Sequence, residues 1–107
     1  MSIWNLLTYQ QKKNAEISIK ELEKAISGIH GLEVYYDDHD YFYEIYVAFK
    51  DRVICSLYYE YSENLRDGVD IFTDIGRVTE SHREMSGAVN TIIDYLKKEK
   101  FIKGDRK

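Results

Sequence analysis

The chain reads as one α+β domain spanning residues 1–107: a Tyr-rich, four-stranded antiparallel sheet flanked in sequence by an N-terminal and a C-terminal helix, in the order α-β-β-β-β-α. Three observations predict this. Near both ends apolar residues recur at three- and four-residue spacing, the period of a helix face. Between residues 32 and 75 they alternate every second position and are rich in Tyr, Val and Ile, the habit of strands. The 107 residues, 44% hydrophobic, suffice for one core and not for two.

In the first helix Ile19, Leu22, Ile26 and Ile29 share a face, and Ser18 and Glu21 have the spacing of a capping box. Ala15 continues the stripe upstream, and Ile3, Trp4 and Leu7 form another apolar turn, so helix is expected through most of 2–29. Gly28 and Gly31 bracket its stop.

Four strands follow. Leu32, Val34 and Tyr36 supply the first apolar set, with residues 37–40 as the turn after it. Tyr41, Tyr43, Ile45, Val47 and Phe49 supply the second, and Val53, Cys55, Leu57, Tyr59 and Tyr61 the third. Opposed residues share a face, so both odd-numbered sets reach the core only if paired positions sum to an even number. A three-residue loop, Lys50–Arg52, satisfies this and sets Val47 opposite Cys55 and Ile45 opposite Leu57. After the polar loop Ser62–Gly68, Val69, Ile71, Thr73 and Ile75 make the fourth strand. The last helix is expected to start near Thr79 or Ser81, with Ser81 and Glu84 as its capping box. Met85, Ala88, Val89, Ile92 and Leu96 form its apolar stripe, and Lys97, Lys98 and Lys100 sit in its last turn, where cations are favoured.

The same alternation fixes the other sheet face. It should carry Glu33 and Tyr35, then Phe42, Glu44 and Tyr46, then Ile54, Tyr58 and Glu60, and finally Asp70, Phe72 and Asp74. In the expected register Glu44 opposes Glu33 and Tyr58, and Phe42 opposes Glu60. Like charges directly opposed destabilise a sheet, and no Lys or Arg relieves them. An antiparallel sheet needs one wet face, which accounts for such residues without any partner. A functional account competes with it: stiff aromatic area joined to carboxylates suits docking on a basic protein. A third possibility is that a terminal helix covers the face.

Charge is uneven along the chain. The formal net charge is −4, yet residues 31–75 hold 11 acidic residues against three basic ones, while the two ends are mildly basic. Direct nucleic-acid binding through the sheet is therefore disfavoured, because that mode needs cations against phosphates. No apolar run approaches the ~18 residues that span a bilayer, the start lacks a basic leader, and the single Cys55 cannot form an internal disulfide, so the expected location is cytoplasmic.

No catalytic signature stands out. The run Asp37-Asp38-His39-Asp40 lacks the spacing of an EF-hand loop and is more simply a polar turn, so no metal is expected. Cys55 sits at a core position, where a thiol is inert. His30 falls in the turn after the first helix and His82 in the first turn of the last, without spaced acid–base partners. No phosphate loop, nucleophile elbow or paired-Cys motif is present, so neither cofactor nor catalytic residue is assigned.

These features lead to a non-enzymatic inhibitor whose partner-binding residues are Glu33, Tyr35, Phe42, Glu44, Tyr46, Tyr58, Glu60, Asp70, Phe72 and Asp74, docked on a basic protein, with nucleic-acid-binding proteins one class of candidate partner. Imitation of a phosphate backbone is one form this takes. In general type, not in any motif, the chain resembles small inhibitors of phages and mobile elements, among them anti-CRISPR and toxin-neutralising immunity proteins. The alternative is a regulatory or ligand-sensing domain that forms a homodimer through the sheet or through Trp4 and Leu7. A small metal-dependent enzyme, using the 37–40 run, is the third.

Overall fold

A computed structural model describes residues 2–62 and 68–103. The fold is α+β, and its antiparallel sheet has five strands rather than the expected four. A 3-10 turn, Ile3–Leu6, precedes helix α1 (Tyr9–Ile26). Strands β1 (Leu32–Asp38), β2 (Phe42–Phe49), β3 (Arg52–Tyr61), β4 (Val69–Ile75) and β5 (Val78–His82) follow, and helix α2 (Met85–Lys98) closes the order. Strands adjacent in sequence are adjacent in the sheet, giving the meander β1-β2-β3-β4-β5.

The N-terminal region divides in two. Thr8, not Ser18, caps α1: its hydroxyl accepts from the Gln11 N–H at 3.1 Å, and the Gln11 side chain accepts from the Thr8 N–H at 2.8 Å. Ser18 is buried in mid-helix, where its hydroxyl donates to the Asn14 carbonyl at 2.7 Å. Gly31, at φ +90, turns the chain into β1, and a Cβ there would lie 3.2 Å from the Phe49 ring.

In the β1–β2 hairpin Tyr35 pairs with Tyr46 and Asp37 with Glu44, so Glu33 opposes Ala48 and not Glu44. Asp37 and Asp38 extend β1, and the turn moves on to Asp40 and Tyr41, closed by the His39 N–H donating to the Phe42 carbonyl at 2.9 Å. The displacement is four residues, an even number, so each side chain keeps its expected face while changing its partner. Tyr41, expected in the core, is in the turn and 70% exposed.

The β2–β3 hairpin also departs from expectation. Its turn is two residues, Lys50 and Asp51, both at positive φ (+49 and +68). Alone, that turn would put one apolar set on the wrong face. A β-bulge restores it: Ala48 pairs with Val53 while Val47 pairs with Cys55, as expected, and Ile54 is the extra residue. The bulge exchanges two roles, leaving Val53 60% exposed and Ile54 packed against the core, so Ile54 leaves the outer face.

β4 pairs with β3 as its alternation requires, Tyr59 opposite Ile71 and Glu60 opposite Asp70. Of the expected Ser62–Gly68 loop, residues 63–67 lie outside the described residues; the Ser62 N–H donates to the Gly68 carbonyl at 2.8 Å across its base.

Residues 78–82 correct the expected start of the last helix. Ser81 and Glu84 have capping-box spacing, yet Ser81 pairs with Phe72 and Thr79 with Asp74 in the sheet. α2 begins at Met85, with no side-chain hydrogen bond from its cap Glu84. His82 thus ends a strand instead of opening a helix, and its Nε2 lies 2.9 Å from the hydroxyl of buried Thr73.

Both helices pack on one sheet face. Leu22 of α1 and Val89, Ile92 and Leu96 of α2 meet Ile45, Val47, Leu57 and Tyr59 in a single core cluster. The Tyr59 hydroxyl donates to the Gln11 carbonyl at 3.0 Å, which ties the first turn of α1 to the sheet. Among the described residues no buried side-chain polar atom lacks a partner. No described helix is long and apolar enough to cross a membrane.

Candidate protein-docking face

The pleat and the registers place the outer face in rows. One runs Tyr35, Tyr46, Ser56, Asp74, Thr79 across all five strands; the next runs Asp37, Glu44, Tyr58, Phe72, Ser81. A third joins Phe42, Glu60 and Asp70, and Glu33 sits beside Ala48 at the opposite end of β1. The helices lie on the other side of the sheet, so the core cluster contains none of these side chains. The face is therefore uncovered among the described residues, and the possibility of a covering helix is answered.

Aromatic rings form its centre. Tyr35 stacks on Tyr46 with centroids 5.5 Å apart, Tyr58 lies 5.6 Å from Phe72 and 6.2 Å from Phe42, and His39 stacks on Phe42 at 4.1 Å. Neighbouring rings restrict one another, which gives stiff contact area with little rotamer freedom left to lose on binding. Small Ser56 and Ala48 lie buried between the larger side chains, as the floor of the face.

Carboxylates surround the rings, and two pairs of like charge are directly opposed: Asp37 with Glu44, and Glu60 with Asp70. The expected opposition at Glu44 is present, with Asp37 in place of Glu33. No described strand places a Lys or Arg in these rows. The phenols register the accumulated charge. Tyr58 is pushed up to about 12 by desolvation and by the charges of Asp74, Glu60 and Glu44, and its hydroxyl donates to Asp74 at 3.3 Å. A hydrogen bond to Glu33 raises Tyr35, followed by desolvation; desolvation and then the Asp37 charge raise Tyr46. These hydroxyls stay protonated and orient the carboxylates they serve. Asp74 also accepts from Thr79 at 2.6 Å, a contact supplied by the strand that the sequence reading omitted.

The structure thus gathers Glu33, Tyr35, Phe42, Glu44, Tyr46, Tyr58, Glu60, Asp70, Phe72 and Asp74 on one uncovered face. It adds Asp37 and His39, which the sequence reading had assigned to a turn. The uninterrupted alternation Glu33, Tyr35, Asp37, His39 was the signal for them.

The other candidate groups fall elsewhere. Burial pushes the Cys55 thiol up to about 12, opposite to what a reactive thiol needs. Leu7 is core, and Trp4 is half-buried against Tyr43 with centroids 4.8 Å apart. Leu7 thus offers no exposed surface, while Trp4 keeps part of its side chain open. His30 is exposed in the turn between α1 and β1.

No family model matches the chain, and no curated protein or solved structure does so either.

Proposed function

We propose that this protein is a non-enzymatic inhibitor or adaptor whose outer sheet face docks on a basic surface of another protein. The observation that carries the reading is the pair of like-charge oppositions, Asp37 with Glu44 and Glu60 with Asp70, flanking stacked aromatic rings on an uncovered face. Each opposition costs the isolated sheet some tenths of a kcal/mol (roughly 0.2–1), and a cation brought by a partner would offset it. Aromatic area at the centre supplies contact energy, while the surrounding carboxylates steer a basic partner and repel an acidic one. Basic surfaces are common on proteins that bind nucleic acid, and for such a partner a carboxylate row that competes with phosphates is the corresponding mode of inhibition.

Affinity capture from bacterial lysate tests this, comparing wild type with a Glu44→Lys, Glu60→Lys, Asp70→Lys variant of unchanged circular dichroism. The proposal requires a basic protein that is held by wild type, released by salt and lost in the variant. Equal recovery by both proteins overturns it.

A further inference from the structure

The geometry points to a divalent-cation site at the β1–β2 end of the outer face, built from Asp37, His39 and Glu44 and suited to zinc-class ions. The register sets Glu44 of β2 directly across from Asp37 of β1, and His39, just past the end of β1, stacks on Phe42 of the same outer face. One ligand atom from each lies within 4.8 Å of the others. Donors on a tetrahedral zinc are each about 2.0–2.2 Å from the ion and therefore about 3.5 Å apart, so small side-chain rotations close the set.

Three features distinguish this cluster from a chance group of surface acids. One donor is an imidazole, which suits zinc and its neighbours in the first transition row over Mg2+ or Ca2+. His39 is stacked on Phe42 at 4.1 Å, which limits its ring to few orientations. Tyr46 hydrogen-bonds Asp37, the kind of outer contact that orients a ligating carboxylate. The remaining acids of the 37–40 run take no part as a block. Asp38 points to the opposite face, where it accepts the Trp4 N–H at 3.1 Å, and Asp40 belongs to the turn. The donor set thus comes from β1, the turn after it and β2, and no single run of sequence shows it alone. With three protein ligands on an uncovered face, the ion keeps a position for water or for a group brought by another molecule.

Calorimetric titration of the untagged full chain with zinc chloride, in a buffer that does not bind metal, tests the site. One ion per chain is expected, with affinity at least tenfold weaker in His39→Gln and in Glu44→Gln, unchanged in His30→Gln, and no heat from magnesium. Circular dichroism of each variant confirms its fold, and zinc should raise the melting temperature of wild type but not of His39→Gln. Absence of zinc heat, binding that survives His39→Gln at full strength, or equally tight magnesium overturns the proposal.

Discussion

Glu60 of β3 lies directly across from Asp70 of β4, on the face turned away from both helices. Two carboxylates in that position weaken the sheet that holds them. Neutralising one should therefore stabilise the free protein: Glu60→Gln is expected to raise unfolding free energy by about 0.2–1 kcal/mol in urea titration at low salt. The same variant should bind the basic partner less tightly. Stability and binding moving in opposite directions is the mark of a residue kept for recognition.

The β2–β3 turn carries a local cost that can be relieved. Lys50 and Asp51 both sit at positive φ, where Asn and Gly are favoured. Replacing them by Asn and Gly should stabilise by about 0.5–1 kcal/mol, the range for relief of unfavourable turn backbone, less the Lys50–Phe49 ring contact at 5.2 Å. Thermal unfolding read by circular dichroism measures the gain.

Gly31 and Gly28 offer a controlled comparison. Both have positive φ (+90 and +78), but only at Gly31 would a Cβ meet a neighbour, the Phe49 ring at 3.2 Å. Gly28→Ala should cost about 1 kcal/mol from backbone strain alone, and Gly31→Ala measurably more. Urea denaturation of the two variants gives the difference.

Alkaline pH should unfold the protein through its buried phenols. Burial pushes Tyr43 and Tyr59 up to about 12 from an ordinary value of 10. A folded-state value above the unfolded one means the contribution is fully present below pH 10 and is lost as pH rises through about 12. Circular dichroism followed through an alkaline titration should show a cooperative loss of structure as Tyr43 and Tyr59 ionise.

Much of the fold was legible because alternation and helical spacing are read directly from side-chain type. The stripe Met85, Ala88, Val89, Ile92, Leu96 is buried as a unit, and Val47 faces Cys55 as parity requires. The departures arise where two local signals compete. Ser81 and Glu84 imitate a helix start, but Gly76, at φ +61, returns the chain into pairing with β4 before any helix forms. Ser18 and Glu21 imitate another, although Thr8 and Gln11 make the actual box. Parity required an extra residue between β2 and β3 without saying whether a longer loop or a bulge supplied it; the bulge at Ile54 did. The outer face survived these errors because the β1–β2 shift was even. Its missing members, Asp37 and His39, were concealed by a polar run that reads as a turn.

The most direct test of the account is carboxyl footprinting of the protein alone and with its captured basic partner, read by mass spectrometry. The account predicts protection at Glu44, Glu60 and Asp70 on the outer face, with Glu16 and Glu23 of α1 and Glu99 after α2, all exposed, labelled as before. Protection confined to the helices, with the outer carboxylates still fully labelled, would contradict it.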